Sequence, residues 1–204
     1  RRIAGSLASL AGLEAALEQG DEAEIDRRIR LVLTLHGIIL SFGGIPLLYY
    51  GDEVGTLNDY EFLEDENKSS DSRWIHRPTI DWDKVERRCE PRTVEQRIFD
   101  GLRRMIEVRK VSPALADLDN RELLAVSNPH LFVYLLSATH LSDDEVLVVA
   151  NFDDQPQQLS LEELRGRGRF HLGMLSDLIS GAGLEIRDQA VTVPAFGCYW
   201  LVAT

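Results

Sequence analysis

The feature that most limits the fold is a run of twenty uncharged residues, 31–50, which contains the tetrapeptide Gly43-Gly44-Ile45-Pro46. A run of this length matches a membrane-spanning helix. A span needs one continuous helix, however, and the glycine pair and the proline interrupt it. We therefore interpret the run as a buried helix, a tight turn and a short buried strand at 45–50, because strands of parallel sheets have continuous apolar sequences. No membrane partner is expected.

The helix before this turn has a recognisable start. Asp21 is a candidate N-cap, and Glu24 follows it by three residues, as in a capping box. Apolar residues then recur at helical spacing as far as residue 39, and His36 on that face is interpreted as a core histidine. Thr93 and Gln96 form a similar start for a second helix, which ends before Pro113. Helix, strand, long loop and helix in this order predict an α/β sheet or barrel.

The sequence changes character near Ser112-Pro113. Residues 1–112 hold 17 basic and 21 acidic side chains, whereas residues 113–204 hold 5 and 13. We therefore expect two domains, 1–112 and 113–204. Short apolar runs in the second part predict an antiparallel β-sandwich. The predicted strands are 122–127, 131–138, 145–152, 169–174, 184–186, 190–193 and 198–202.

Charge and cysteine content exclude several kinds of function. The net charge of −12 argues against a nucleic-acid partner, which requires clustered Lys and Arg. Two cysteines cannot form a disulfide framework, so a cytoplasmic protein is expected rather than a secreted one. The cysteines and histidines lack the spacing of metal ligands, and neither a dinucleotide-binding nor a phosphate-binding glycine motif is present. We predict no metal and no cofactor.

About forty residues, 51–92, separate the predicted strand from the second helix. A connection of this length in a compact domain is functional or disordered. Aromatic side chains alternate here with Asp, Arg and His, and strand-to-helix loops form the active-site face of α/β barrels. The loop is therefore a candidate binding site for a sugar. Arg and Asp side chains can hydrogen-bond the hydroxyls of a sugar, and aromatic rings can pack against its C–H faces. The alternative is a solvated insertion with aromatic anchors.

Several segments of this loop and its surroundings resemble known enzymes. Residues 44–53 (GIPLLYYGDE) resemble the segment around the eighth barrel strand in the α-amylase superfamily, glycoside hydrolase family 13. Residues 54–60 (VGTLNDY), 71–78 (DSRWIHRP) and 81–82 (DW) resemble the amylosucrases and the related sucrose hydrolases. Residues 2–13 resemble their segment before the seventh barrel helix. The resemblance implies helix 7, strand 8, a long loop and helix 8 of a (β/α)8 barrel, followed by the C-terminal β-sandwich.

The same resemblance implies a retaining double displacement with an Asp nucleophile and a Glu acid/base. In the family these residues, and a His-Asp pair, lie on earlier strands, and this chain has no position that matches them. The chain begins at Arg1 without Met, so we expect it to be the C-terminal part of a larger protein and inactive alone. No catalytic residue is assigned within it.

One substrate-binding residue is implied by the resemblance. Arg73 matches the family arginine at the floor of the glucosyl pocket, which pairs with an Asp from an upstream segment; the alternative is a loop-anchoring ion pair. Asp52, Asp59 and Tyr60 are weaker candidates, and the carboxylates of Asp52 and Glu53 are interpreted mainly as orienting neighbouring loops.

The resemblance implies that the full-length parent acts on sucrose and transfers glucosyl to an α-1,4-glucan. Alternatives are a sucrose hydrolase or another α-amylase-type enzyme. Another class is a non-catalytic module that caps the barrel or binds glucan through Tyr134, Phe152 and Trp200, although their strand patterns place these three in the core. An unpaired strand at 45–50 also predicts a homodimer of this chain.

Overall fold

The computed structural model describes residues 3–117, 119–138, 144–167, 170 and 174–204, with helices up to residue 116 and strands from Arg121 onward. This mixture of helices and antiparallel sheets confirms the predicted fold class. The chain divides into two compact units. The first comprises the residues up to Val32 together with Leu48–Leu102, and the second comprises Leu33–Leu47 with Arg103–Thr204.

The first unit is helical, and its helices begin where the sequence predicts. Asp21 caps the long third helix, because its Oδ1 accepts the backbone N–H groups of Ala23 and Glu24 at 3.0 and 3.2 Å. Thr93 caps the fifth helix in the same way, since its Oγ1 accepts the Gln96 N–H at 3.1 Å. The α-helices of the described residues are α1 Leu7–Leu10, α2 Leu13–Gln19, α3 Glu22–Ser41, α4 Trp82–Glu86, α5 Val94–Val111 and α6 Pro113–Ala116.

The second unit contains all the strands of the described residues, and they pair antiparallel throughout. A five-stranded sheet has the order β1-β2-β3-β8-β5, and a three-stranded sheet has the order β4-β7-β6. The strands are β1 Arg121–Leu124, β2 Leu131–Ser137, β3 Glu145–Asn151, β4 Gln157–Ser160, β5 Leu175–Asp177, β6 Ile186–Arg187, β7 Ala190–Val193 and β8 Cys198–Ala203.

Strands β2 and β3 of the five-stranded sheet are buried on both faces. One face packs against the smaller sheet through residues such as Val133, Val149 and Val191, which makes the predicted sandwich. Alternate residues of the same strands, among them Tyr134 and Trp200, pack on the other face against residues of α3, α5 and α6 that belong to the same unit. This second layer explains why β2 and β3 are almost continuously apolar rather than alternating.

The predicted buried strand at 45–50 is wrong. The turn before it forms, with positive φ angles of 101° and 69° at Gly43 and Gly44. Beyond it the backbone pairs with no strand among the described residues, and the side chains of Ile45 and Leu47 are 90% and 81% exposed. An apolar run becomes a buried strand only when neighbouring strands supply hydrogen bonds and cover its faces.

Several further strand assignments change. Strands β4 and β5 were not predicted, since β4 contains two glutamines and β5 is only three residues long. Of the strand predicted at 169–174, residues 169 and 171–173 lie outside the described residues, and Phe170 and Met174 belong to no strand. Phe152 is not a core residue, because β3 ends one residue earlier, and it is 44% exposed. Tyr134, Trp200 and His36 are buried as predicted.

Candidate functional site

The loop at 51–92 lies in the first unit and is held in shape mainly by its own aspartates. Each of four Asp side chains accepts a backbone N–H two or three residues further along the chain, which is the geometry of Asx turns and helix caps. The chain of short 3₁₀ turns that results fixes the loop without a large core. The acceptor and donor pairs, at 2.9–3.0 Å, are Asp59 with Glu61, Asp65 with Asn67, Asp71 with Arg73, and Asp81 with Lys84.

Arg73 lies in the 3₁₀ turn Ser72–His76 and forms a fork with Asp71. Its Nε is 2.9 and 3.0 Å from the two carboxylate oxygens of Asp71, and its Nη2 is 2.7 Å from Oδ2. The Arg73 hydrogen bonds lower the pKa of Asp71 to about 2, and Asp71 raises the pKa of Arg73 in return. Both groups are therefore ionised at neutral pH, and the Arg73 side chain remains 62% exposed.

The Asp71 fork uses only part of the Arg73 guanidinium. Its Nη1 has no acceptor among the described residues, so this nitrogen can donate to a ligand hydroxyl. The resemblance implies an aspartate from an upstream segment as the partner of this arginine, whereas the partner in this chain is the neighbouring Asp71. The fork therefore fixes the direction of the side chain while leaving donors open.

A cavity of about 320 Å³ in the first unit has one carboxylate and three rings in its wall, from Asp52, Tyr49, Tyr50 and His76. The Tyr49 and Tyr50 rings have centroids 4.7 Å apart, and the Tyr49 and His76 rings 6.0 Å apart. Gly51 makes the bend that places Asp52 here: its φ is 88°, and a Cβ at this position would lie 2.6 Å from the Thr56 Oγ1. Rings beside a carboxylate form a wall suited to a sugar.

Arg73, Asp59 and Tyr60 do not line this cavity. Asp59 makes hydrogen bonds within the loop. Its N–H donates to the Ile75 carbonyl at 2.8 Å, and its Oδ1 accepts the Glu61 N–H at 2.9 Å. The Tyr60 hydroxyl donates to the Glu14 carboxylate at 3.2 Å and so ties the loop to helix α2. The structure thus places Asp52 at the cavity, Arg73 in a separate fork, and Asp59 and Tyr60 in contacts that hold the loop.

Asn58 ties this loop to residues 6–14, and the sequence analysis assigns it no role. Its Oδ1 accepts the Ser6 N–H at 2.8 Å, its own N–H donates to the Ser9 Oγ at 2.9 Å, and its Nδ2 contacts Glu14 and Tyr60. Tyr49, Tyr50 and His76 were also not predicted as cavity walls. The sequence signal that could have indicated this cavity is the pair Tyr49-Tyr50 at the end of the apolar run.

A smaller cavity of about 190 Å³ lies beside the first and shares Tyr50 with it. Lys84 lines this cavity and donates from Nζ to the Gly55 carbonyl at 2.9 Å. Burial lowers the pKa of Lys84. The side chain therefore fastens helix α4 to the beginning of the loop.

The described part of the chain contains no group of three side chains that could hold a metal ion. Within the same residues, every helix is too short or too polar to cross a membrane. Cys89 and Cys198 are both free thiols.

Comparison with known proteins concerns the second unit most directly. Residues 121–200 match the family model described as Maltogenic Amylase, C-terminal domain. These residues are a C-terminal β domain of the α-amylase type. The matched residues include both sheets of the described residues except the last three residues of β8.

Relatives extend the match toward the beginning of the chain. A trehalose synthase from Pimelobacter sp. (strain R48) is 26% identical over 189 residues, covering 82% of this chain and 32% of that protein. The crystal structure of AmyP in complex with maltose has a TM-score of 0.61 at 16% identity, covering 86% of this chain and 34% of that one. Trehalulose synthase MutB from Pseudomonas mesoacidophila MX-45 has a TM-score of 0.53 at 18% identity, covering 85% and 38%.

At these identities the solved structures show the fold alone. The chain spans about one third of the length of the relatives it matches. The resemblance to the α-amylase superfamily is confirmed for the C-terminal β domain alone, because residues 121–200 match the family model.

Proposed function

We propose that this chain is the C-terminal part of a retaining, α-amylase-type glucosyl-transferring enzyme that acts on sucrose. The glucosyl group passes to a growing α-1,4-glucan, as in an amylosucrase. The observation that carries the proposal is the Asp71–Arg73 fork within residues 71–78, whose sequence resembles the family's glucosyl-pocket segment. An ionised, oriented guanidinium with a free Nη1 is suited to donate to a sugar hydroxyl.

In this proposal the chain provides substrate-binding residues, and the catalytic groups lie outside it. Arg73 recognises the far hydroxyls of the glucosyl ring and closes that end of its pocket, which favours a disaccharide over a long chain. The nucleophile, the acid/base and the His-Asp pair come from upstream sequence. Asp52, Asp59 and Tyr60 shape the surroundings, with Asp52 in the cavity wall beside Tyr49 and Tyr50.

A second candidate is an α-amylase-type enzyme with another disaccharide substrate. The 26% identity to a trehalose synthase and the maltogenic amylase match at 121–200 favour it.

A sucrose hydrolase differs from the first proposal only in passing the glucosyl group to water. A purely structural role for the β domain is supported by the sheet face that packs on helices in its own unit.

The test uses the protein expressed with its upstream sequence, incubated separately with sucrose, maltose and trehalose. The proposal predicts fructose release and an iodine-staining glucan from sucrose alone. Glucose and fructose in equal amounts would indicate the hydrolase instead. Conversion of maltose or trehalose with sucrose untouched would reject the sucrose assignment in favour of the second candidate.

A further inference from the structure

Phe152 stands apart from the other large aromatic residues of the β domain. Tyr134 and Trp200 are fully buried, whereas Phe152 follows the end of β3 and is 44% exposed. Its N–H donates to the His130 carbonyl at 3.0 Å, which continues the β2–β3 register by one residue. Phe152 and His130 are therefore direct cross-strand neighbours, with Cβ atoms about 5 Å apart.

His130 also belongs to a closed set of hydrogen bonds, which we call the polar ring. Its members are Asn128, His130, Asp153 and Gln157. His130 Nδ1 donates to Asp153 Oδ2 at 2.8 Å, and Gln157 Nε2 donates to the same oxygen at 3.0 Å. Asn128 Nδ2 donates to Gln157 Oε1 at 2.9 Å, and Asn128 Oδ1 accepts the His130 N–H at 3.0 Å. Each side chain is held in one orientation before any ligand arrives.

The polar ring leaves both donors and acceptors for a ligand. The Nδ1 of His130 is directed at Asp153, which leaves Nε2 for a ligand, and the His130 side chain is 51% exposed. Gln157 uses one amide hydrogen on Asp153 and keeps the other. Because these groups are already ordered, binding loses little side-chain entropy.

The chemistry of this surface selects a neutral, hydroxylated ligand. Residues 122–164, which include Phe152 and the whole polar ring, contain no Lys or Arg that could supply a fixed positive charge for a phosphate. The Asp153 carboxylate already accepts from His130, Gln157 and the Gln155 N–H, so it is poorly available to a cation. A protein partner would bury about 800 Å² on each side, far more than one phenyl ring provides.

We propose that Phe152, His130 and Gln157 form a saccharide-binding site on the β domain. The Phe152 ring stacks on the C–H face of a sugar, while His130 and Gln157 bond its hydroxyls. We assign an α-1,4-glucan as the saccharide, and this assignment alone rests on the function proposed above. No covalent step is involved.

Affinity electrophoresis of the 204-residue chain in native gels with and without glycogen tests the site. Glycogen is expected to retard the chain, and Phe152→Ala is expected to weaken the apparent affinity about tenfold, the effect of losing one contacting aromatic anchor. Gln157→Ala weakens it less, and Phe152→Trp retains it. Leu123→Ala is the matched control, because Leu123 is an exposed apolar residue of the same unit, 61% accessible, that lies in β1 and takes no part in the polar ring.

Three results would overturn the proposal or its glucan assignment. No retardation of the unaltered chain, or equal retardation of Phe152→Ala with unchanged thermal unfolding, rejects the site. Equal retardation by dextran, an α-1,6-glucan, rejects the α-1,4 assignment. Sucrose turnover by the longer protein is a separate measurement, so failure here and failure of the proposed enzyme activity are distinguishable.

Discussion

The Tyr134 hydroxyl lies 2.5 Å from the Ser41 hydroxyl, and both groups are buried. Ser41 donates its own proton to the Gly37 carbonyl at 2.6 Å, so Tyr134 is the donor between the two hydroxyls. This bond joins strand β2 to the end of helix α3 within the second unit. Burial raises the pKa of Tyr134, which keeps the phenol protonated and able to donate.

The direction of this hydrogen bond predicts unequal effects of removing its two partners. Tyr134→Phe loses one bond and leaves Ser41 bonded to Gly37, so it should lower the free energy of unfolding by about 1 kcal/mol. Ser41→Ala strands a buried phenol hydroxyl and should cost about 2 kcal/mol. Urea unfolding of both single variants and the double variant measures these values and their coupling. A larger loss for Tyr134→Phe than for Ser41→Ala would contradict the assigned direction.

The Asp71–Arg73 fork predicts an acid-sensitive loop. The folded-state pKa of Asp71, about 2, lies below its ordinary value of 3.8. The pair's stabilising contribution is therefore complete above about pH 4 and is lost as the pH falls toward 2. NMR titration of the Asp71 side-chain carboxyl should show this low pKa, and in Arg73→Gln the pKa should return toward 3.8. An ordinary Asp71 pKa in the unaltered chain would show that the fork does not persist in solution.

Local signals predicted the helix starts correctly, because Asp21 and Thr93 cap backbone groups only two or three residues away. The prediction of a strand at 45–50 was wrong because a strand depends on partner strands that are distant in sequence. Its apolar pattern does not show whether such partners are present. Phe152 was misplaced by one residue at a strand end, where alternation no longer decides burial. In the site, the motif singled out Arg73, but the cavity walls at Tyr49 and His76 depend on a tertiary arrangement that no spacing reveals.

Exposed apolar residues at 45–50 predict self-association of the chain. Ile45 and Leu47 present side chains that are 90% and 81% exposed on an extended backbone. Sedimentation velocity over a range of concentrations should show a dimer that Leu47→Lys weakens. Leu123→Lys, at another exposed apolar position, is the control and should leave the dimer intact. A monomer at every concentration would refute this prediction.

In the protein expressed with its upstream sequence, Arg73→Ala should lower kcat/KM for sucrose about 100-fold, the effect of losing a charge-assisted hydrogen bond of ~2.7 kcal/mol. Arg187→Ala is a matched control, because Arg187 also pairs with a carboxylate two residues earlier, Glu185, with an N–O distance of 2.8 Å. Its turnover should remain unchanged. Equal activity of Arg73→Ala and Arg187→Ala would make the Asp71–Arg73 pair a loop anchor only.

The measurement that tests the central claim most directly is proton NMR of the longer protein during its first turnovers of sucrose. A retaining glucosyl enzyme must give the glucosyl product in the α configuration, whether glucan or free glucose, before mutarotation mixes the anomers. We predict α-linked product and an equivalent amount of fructose. Initial release of β-glucose, or no fructose at all, would contradict the assignment of this chain to a retaining sucrose-splitting enzyme.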